Sequence, residues 1–370
     1  MKLRNASIEE FVKIIKSQQK KIIVFGAGVI AQTVLGTICL ETKLGNWIEC
    51  VIDNDPNKWG NTIMLGKEKV IYSIEKLVEY RGNPNYLIVI ASSHFQEILI
   101  QLENVQLGDV HCYILPIMYT SNLYTENKGV EEECKEILIP QKIHYMWFGS
   151  RDLPKELQKC IDSWKRYCPE YEIVRWDENN YDITKHIYMK QAYEKKQWGF
   201  IPDYARLDLL YEYGGIYLDT DVELVKGLDE MLHQSAFASV EKWNVINMGG
   251  GSGAVPKHQA IEMMLKEREE VQFINKDGTL NKMASGYYDT IPFINKGFLL
   301  NGKTQNICGM NIYGYDYFHP YDYMSGKLQI TENTFGIHHF NGGWLSSKNK
   351  KERELMQLRY DEVVRRTSVD

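Results

Sequence analysis

The sequence has few cysteines, and none of them is arranged to bind a metal or to form a disulfide framework. The seven cysteines are scattered along the chain, their number is odd, and no C-x-x-C pair occurs. We therefore expect neither a disulfide-stabilised secreted domain nor a structural zinc site. The expected state of these residues is the free thiol that a reducing compartment maintains.

Long apolar runs and an excess of positive charge are also missing. No segment reaches the ~20 apolar residues that a membrane-spanning helix needs, and the first ten residues contain no apolar core of a signal peptide. The formal net charge of −6 disfavours a chain built to neutralise phosphate backbones. We expect a cytoplasmic protein with no nucleic-acid partner.

The first third of the chain alternates short apolar runs with amphipathic segments. The runs at 21–25, 48–53, 86–90 and 112–115 predict strands, and the segments between them predict helices. Strands that alternate with helices indicate a parallel sheet covered on both faces. The predicted fold class is therefore α/β, and it begins with a Rossmann-like domain over residues 1–119.

The remainder of the chain predicts a second domain. Residues 120–136 are polar and acidic without periodicity, which is typical of an interdomain linker. A second α/β domain follows over residues 137–347. The charged segment 348–370 predicts a C-terminal helix, which either is solvated or contacts anionic lipid through its basic residues.

A glycine-rich loop in the first domain follows a predicted strand and opens a predicted helix. Residues 26–31 fit G-x-G-x-x-G/A, and Asp53 closes the second strand. Gly26, Gly28 and Asp53 are therefore candidates for a second nucleotide site. The glycines also fit a tight strand-to-helix turn without any ligand.

An oxidoreductase or sensor centred on this first domain is the alternative function. We do not expect NAD, because the Tyr-x-x-x-Lys pair of a short-chain oxidoreductase occurs nearby only as Tyr124 and Lys128, inside the predicted linker.

The most informative segment of the second domain is a helix followed by a short strand. Pro202 suits the first turn of a helix, and Gly214 suits its end. Asp203 and Arg206 are three residues apart, so they share one face of this helix. Asp203 also lies in the first turn, where negative charge is favoured.

Two carboxylates follow the strand that comes next. Asp219 and Asp221 are two residues apart, so both point to the same side of the chain. Such a pair suits Mg²⁺ or Mn²⁺ better than zinc. The same residues also fit the nucleophile loop of haloacid-dehalogenase-type phosphatases, in which Asp219 would be phosphorylated and Asp221 would act as acid and base.

Ordered motifs in the second domain carry a family resemblance. From about residue 137 to 346 the chain resembles glycosyltransferase family 32, the sugar transferases with a DXD motif. The motifs are residues 139–149, 163–171, 176–177, 203–221 and 338–344.

The resemblance implies a GT-A fold and a retaining hexosyltransferase. It further implies Mn²⁺ or Mg²⁺, a UDP- or GDP-hexose donor, and a saccharide or lipid-linked acceptor. The capsule-type members of the family imply a role in bacterial surface polysaccharide synthesis. The basic C-terminal segment would allow peripheral contact with the inner face of the membrane.

The resemblance also assigns donor contacts to residues of this sequence. Trp147 would stack on the base of the nucleotide-sugar, Tyr217 would be an aromatic of the donor pocket, and Trp344 would close that pocket. Asp203 and Arg206 would hold the sugar hydroxyls as part of the catalytic machinery.

The remaining assignments concern the carboxylate pair and two late histidines. Asp219 would contact the donor as a catalytic residue, and Asp221 would bind the metal. The spacing of the resembling motif makes His339 the better candidate for the second metal ligand and His338 the second choice. Adjacent residues of a strand point to opposite faces, so we expect at least one of the two histidines to be structural.

Overall fold

The computed structural model describes residues 1–121, 130, 135–149, 152–341 and 347–367. The chain divides into two compact units. Unit 1 consists of Met1–Leu123, Met324–Gly326 and Asn349–Asp370, and unit 2 of Tyr124–Tyr323 and Lys327–Lys348. Both units combine helices with sheets that contain parallel strands, which confirms the predicted α/β class. Most of the predicted linker lies outside the described residues, and the predicted domain boundaries stay predictions.

Unit 1 contains a seven-stranded sheet. Its strands are β1 (Lys2–Arg4), β2 (Lys21–Phe25), β3 (Ile48–Ile52), β4 (Thr62–Met64), β5 (Glu68–Tyr72), β6 (Tyr86–Ile90) and β7 (His111–Ile114). Its helices are α1 (Ile8–Gln18), α2 (Gly36–Thr42), α3 (Phe95–Val105) and α4 (Leu115–Thr120), and the chain returns to this unit with α10 (Ser347–Thr367).

The strand order in unit 1 is β1-β7-β6-β2-β3-β5-β4. All neighbours are parallel except β4 and β5. The chain order reverses between β2 and β6, and doubly wound sheets bind ligands at such a reversal. The four predicted strands correspond to β2, β3, β6 and β7, which have buried apolar sequences.

Several elements of unit 1 differ from the prediction. Helix α1 was not predicted, although Ser7 and Glu10 form a capping box at its start. The helix predicted after the glycine loop begins instead as a π-helical turn, Ala31–Leu35, before α2. In this region the Thr33 hydroxyl donates to the carbonyl of Val29, a local bond that competes with regular helix geometry.

Unit 2 is built around a mixed sheet of eight strands. The strands are β8 (Lys142–Met146), β9 (Glu172–Trp176), β10 (Gly215–Tyr217), β12 (Ala236–Val240), β13 (Ile246–Asn247), β14 (Ser252–Ala254), β15 (Gln305–Ile307) and β16 (Met310–Tyr313). The order is β15-β16-β12-β14-β10-β8-β9, and β13 pairs with β12. Helices are α5 (Lys155–Tyr167), α6 (Ile187–Glu194), α7 (Pro202–Tyr213), α8 (Gln259–Glu267) and α9 (Ser285–Ile294).

Two small sheets complete unit 2. Strands β11 (Val222–Leu224) and β19 (Gly336–His338) form an antiparallel pair, and β17 (Tyr321–Asp322) pairs with β18 (Lys327–Leu328). The first of these pairs matters for the site, because β11 begins one residue after Asp221 and its first residue, Val222, lies opposite His338.

Gly214 and Gly215 make the sharp connection between α7 and β10. Both have positive φ, at 63° and 93°, which costs a glycine little. A Cβ on Gly214 would also lie 2.7 Å from Pro256 Cδ. The glycine pair therefore allows the chain to turn directly from the helix that carries Asp203 and Arg206 into the strand that leads to Asp219.

Trp164 of α5 holds β11 in place. Its side chain is completely buried, and its indole N–H donates to the carbonyl of Val222 at 2.7 Å. The neighbouring Ser163 hydroxyl accepts from the backbone N–H of Leu224 at 2.9 Å. Helix α5 therefore fixes the strand that follows the carboxylate pair.

No helix among the described residues is both long and apolar enough to cross a membrane.

Trp164 provides a test of this packing. We expect Trp164→Ala to lower the unfolding free energy of unit 2 by about 3–5 kcal/mol, because it leaves a large cavity. Trp164→Phe keeps most of the volume but leaves the Val222 carbonyl without its donor, so we expect a loss of about 1–3 kcal/mol. Urea unfolding followed by circular dichroism measures both values. Equal losses for the two variants would contradict the role of the indole hydrogen bond.

Candidate functional site

Two groups of predicted site residues in unit 2 lie along one edge of its sheet. Strands β8 and β10 are parallel, with Ile143 opposite Ile216 and His144 opposite Tyr217. Trp147 follows β8 and the Asp219–Asp221 segment follows β10, so both lie beyond the carboxyl ends of parallel strands. This is the edge at which α/β sheets bind ligands.

Arg206 lies between two carboxylates. Its Nη2 donates to Asp203 Oδ1 at 2.9 Å, and its Nη1 is 3.9 Å from Asp219 Oδ2. Its Nε donates to the carbonyl of Pro202 at 2.8 Å, one turn earlier in α7. The Arg206 side chain is 5% exposed, so the guanidinium is fixed by these partners and not by solvent.

The charges of this cluster are strongly coupled. Burial raises the pKa of Asp203 to about 7, although the guanidinium of Arg206 opposes the shift. Burial disfavours the charged form of Arg206, but Asp219 and Asp203 outweigh it and raise the arginine pKa. Arg206 is thus a permanent cation beside a carboxyl group that titrates near neutrality.

Tyr217 holds the side chain of Asp219 in position. Its ring is 1% exposed, and its hydroxyl donates to Asp219 Oδ1 at 3.0 Å. The guanidinium of Arg206 lies over this ring, 5.4 Å from its centroid. In the structure the buried ring of Tyr217 orients Asp219, and its predicted place in the donor pocket stays a prediction.

Asp221 is held by a histidine and by backbone amides. His338 Nε2 is 3.3 Å from Asp221 Oδ1, and the N–H of Asn341 donates to Oδ2 at 2.8 Å. Burial would raise the pKa of Asp221, but His338 and the backbone donors outweigh burial and lower it to about 2. The carboxylate is therefore ionised at any physiological pH.

The structure brings His338, and not the preferred candidate His339, next to the carboxylate pair. Pairing of β11 with β19 places His338 opposite Val222 and directs its buried side chain to Asp221. His339 points the other way, and its Nε2 lies 2.9 Å from Glu223 Oε2. The two histidines do lie on opposite faces of the strand, as predicted, but His338 and not His339 faces the carboxylate pair.

Asp219, Asp221 and His338 can share one metal ion. One ligand atom from each lies within 4.8 Å of the others. Two carboxylates with one imidazole are an oxygen-rich donor set that fits Mn²⁺ well and Mg²⁺ less well. These residues fit the divalent ion that the sequence predicted.

A glycine segment closes the site on one side, and the motifs had not assigned it a role. The carbonyl of Gly249 accepts from the N–H of Asp219 at 2.8 Å. A Cβ on Gly249 would collide with Asp219 Oδ2 and with Arg206 Nη1, and one on Gly250 would collide with the ring of His319. The run of glycines in the sequence was the available signal for this close approach.

Trp147 is half-buried at the sheet edge, and its backbone N–H donates to the carbonyl of Trp176 at 2.9 Å. Its predicted stacking on a base stays a prediction. Trp344 lies outside the described residues.

The candidate residues of unit 1 also come together, but among themselves. Asp53 Oδ2 accepts from the N–H of Ala27 at 2.7 Å and from Lys58 Nζ at 3.1 Å. Its Oδ1 accepts from the N–H of Asp55 at 2.9 Å. The carboxylate thus links the loop of Gly26 and Gly28 to the end of the second strand by hydrogen bonds. Both of its oxygens accept hydrogen bonds from groups of the same chain.

Comparison with family models finds two matches in separate parts of the chain. Residues 154–238 match the glycosyltransferase sugar-binding region containing the DXD motif. Residues 2–117 match the C-methyltransferase C-terminal domain. The first match spans α7, β10 and the carboxylate pair, and the second spans most of unit 1.

Curated relatives match parts of the chain at low identity. Inositol phosphoceramide mannosyltransferase 1 of Schizosaccharomyces pombe is 25% identical over 143 residues, which are 35% of this chain and 43% of that protein. Inositol phosphoceramide mannosyltransferase 3 of the same yeast is 32% identical over 107 residues, or 27% of this chain and 29% of that protein. The mannosyl phosphorylinositol ceramide synthase of Saccharomyces cerevisiae is 30% identical over 150 residues, with 38% and 37% covered.

The chain spans less than half the length of these three relatives. Together with the DXD match, they support a glycosyltransferase domain in unit 2 and sugar transfer as its general chemistry. A solved structure named PaToxG glycosyltransferase covers 55% of this chain and 77% of its own, with 14% identity and a TM-score of 0.35. A score this low carries no argument.

The two histidines make a matched pair for a metal-binding test. We expect His338→Gln to weaken Mn²⁺ binding by at least roughly 10–100-fold, because it removes one of three ligands and loss of an outer-shell partner alone has an effect of this size. His339→Gln should change the affinity less than about threefold, because its imidazole faces Glu223. Isothermal titration of each full-length variant with MnCl₂ measures both. A larger loss for His339→Gln would contradict the assignment.

Asp203 predicts a pH dependence of stability. Its pKa of about 7 in the folded chain lies above the value of about 3.9 expected when unfolded. The folded state therefore binds this proton more tightly, and stability from this group is lost as pH rises from about 4 through about 7.

Asp203→Asn removes that titration. We expect the melting temperature of this variant, relative to the original chain, to increase between pH 5 and pH 8, as measured by differential scanning calorimetry. Glu212→Gln, which removes an exposed carboxylate from the same helix, serves as the control. A difference for Asp203→Asn that is constant with pH would contradict the raised pKa.

Proposed function

We propose that unit 2 is a metal-dependent, retaining glycosyltransferase with a GT-A fold. It moves a hexose from a UDP- or GDP-hexose to a saccharide or lipid-linked acceptor. One observation carries the proposal: Asp219, Asp221 and His338 cluster within metal-binding distance, and the Asp203–Arg206 pair lies next to them at the same sheet edge.

Each residue of this cluster has a distinct proposed role. Asp221 and His338, with Asp219, would hold Mn²⁺ or Mg²⁺, and the ion would neutralise the diphosphate that departs from the sugar. Asp219 also faces Arg206. It therefore lies between the proposed metal ligands, Asp221 and His338, and the arginine that is proposed to bind the hexose. Tyr217 keeps Asp219 in place through its hydroxyl.

Asp203 and Arg206 would bind the hexose. An arginine presents several N–H donors in a fixed plane, which suits adjacent hydroxyl groups. Glycosyl transfer passes through an oxocarbenium-like state, and the nearby carboxylates favour the positive charge that develops on the sugar. Exclusion of water by the surrounding buried side chains strengthens these interactions.

The acceptor is proposed from the relatives and from the sequence. The yeast relatives are named for mannose transfer to inositol phosphoceramide, which makes a lipid-linked acceptor a reasonable choice for this chain. We propose surface polysaccharide synthesis on the cytoplasmic side of a membrane, with peripheral contact, as the setting for this reaction.

The alternative functions receive less support from the geometry. In unit 1 the Asp53 carboxylate already accepts hydrogen bonds from Ala27, Asp55 and Lys58, which use three of its roughly four acceptor positions. A haloacid-dehalogenase-type phosphatase carries its nucleophile on the first strand of its domain, whereas Asp219 follows β10, the third strand described in unit 2.

A ligand panel separates the transferase from the NAD-binding alternative. We expect a UDP- or GDP-hexose to raise the melting temperature of the full chain only when Mn²⁺ is present. A ligand at 100 times its dissociation constant contributes about 2.7 kcal/mol, which a thermal shift assay detects. A shift with NAD and none with sugar nucleotides would favour the alternative instead.

Asp221→Asn and Asp53→Asn form a matched pair for catalysis, one in each unit. We expect Asp221→Asn to reduce metal-dependent turnover of the donor by at least about 100-fold, since charge stabilisation by preorganised groups contributes factors of this size. Asp53→Asn should leave turnover unchanged. Release of nucleoside diphosphate measures both rates, and full activity of Asp221→Asn would refute the assignment.

A further inference from the structure

A second buried ion pair lies near Asp203, and its arginine, Arg268, lines one small cavity together with Asp203. Arg268 follows α8 and Asp289 belongs to α9, and Arg268 Nη2 is 2.5 Å from Asp289 Oδ1. The two side chains are 4% and 1% exposed. A pair buried this deeply gains little net stability over apolar residues of similar size, so stability alone is a weak reason for its presence.

The charges of the two ion pairs, Arg268–Asp289 and Arg206–Asp203, affect one another's pKa values. Burial raises the pKa of Asp289, and the guanidinium groups of both Arg268 and Arg206 oppose that shift. Burial also raises the pKa of Asp203, and Arg206 and Arg268 both oppose it. Both guanidinium groups therefore act on both carboxylates.

Helix α9 also fixes the backbone of β13. The N–H of Ile246 donates to Thr290 Oγ1 at 2.9 Å. The backbone N–H of Met248 opposes the rise that burial causes in the pKa of Asp289, but Asp289 Oδ2 accepts no hydrogen bond from the described residues. The segment 246–248 is therefore attached to α9 by the hydrogen bond from Ile246 to Thr290, the residue next to Asp289.

The segment 246–249 also binds the backbone of Asp219. Asn247 Oδ1 accepts from the N–H of Gly249 at 2.9 Å, and the Gly249 carbonyl accepts from the N–H of Asp219 at 2.8 Å. Because a Cβ on Gly249 would collide with Asp219 and Arg206, a small shift of this segment would change the distance between those two side chains.

We propose that Asp289 and Arg268 are positioning residues of the donor site. Their ion pair fixes α9 against the residue that follows α8, Thr290 of α9 holds the segment 246–249, and this segment sets Asp219 against Arg206. Arg268 lines a small cavity together with Asp203, but its proposed role is to position the segment. The inference rests on the proposed function for its effect on turnover, but its effect on the backbone can be measured separately.

The test replaces the pair by apolar residues of similar size. Arg268→Met combined with Asp289→Leu removes both charges at once and leaves neither partner buried alone. We expect a melting temperature close to that of the original chain. The exposed pair Glu262 and Lys266 on α8 provides the control, as Glu262→Gln with Lys266→Met.

The first readout is hydrogen–deuterium exchange of the full chain without donor. In the double variant we expect the amides of peptides covering 217–221 and 246–250 to exchange at least about tenfold faster, because opening of this segment costs less. Peptides covering α5 should not change. Unchanged exchange at 217–221 and 246–250 would overturn the inference whether or not the chain transfers sugar.

The second readout separates positioning from folding. We expect kcat for donor turnover to fall about 10–100-fold in the double variant, since small misplacements of reacting groups have effects of this size. Binding of nucleoside diphosphate with Mn²⁺ should change less than about threefold, because Asp221 and His338 are held by β11 and β19. Unchanged kcat, or parallel losses of kcat, nucleotide binding and melting temperature, would contradict a positioning role.

If the original chain turns over no donor while exchange changes as expected, the proposed function fails and the positioning of Asp219 stands. The two hypotheses are therefore distinguishable in one set of measurements.

Discussion

The site of unit 2 depends on one buried cation between two carboxylates. Arg206 binds Asp203 directly and lies 3.9 Å from Asp219. Without this guanidinium, two acidic groups at a single sheet edge would repel each other, and burial would favour their neutral forms. Glycines of the surrounding structure make this arrangement possible. Gly214 and Gly215 allow the sharp turn from α7 into β10, and Gly249 has no side chain that would collide with Asp219 and Arg206.

The metal side of the site depends on a different constraint, which is strand pairing. Asp221 receives its histidine only because β19 returns more than a hundred residues later to pair with β11. Trp164 and Ser163 of α5 fix β11 by hydrogen bonds to its backbone. The Asp203–Arg206 pair and the Asp221–His338 pair thus depend on separate contacts. Asp219 lies between the two pairs.

The sequence predicted the parts of this site that depend on local chemistry. The helix that carries Asp203 and Arg206 follows from proline, glycine and three-residue spacing, and the structure contains it as α7. The carboxylate pair lies at the predicted strand end. The α/β class of both units follows from alternating apolar and amphipathic segments, because such segments can bury their apolar faces in few ways.

Features that depend on distant partners were not predictable. Alternation shows that His338 and His339 face opposite ways, but only the register of β11 with β19 decides which of them meets Asp221. Tyr217 resembles a ligand-stacking aromatic in the sequence, and only the packed structure shows that its ring is buried. Likewise Asp53 fits a ribose-binding position by spacing, although its carboxylate binds the chain's own donors.

The most direct test of the central claim is the location of a bound metal ion. Crystals of the full chain grown with MnCl₂ and a nucleoside diphosphate would give anomalous difference density at the manganese position. We predict one strong peak within coordination distance of Asp221 and His338, with phosphate oxygens completing the coordination. A strong peak at His339 and Glu223 or at the Gly26 loop, with none at Asp221, would contradict the account.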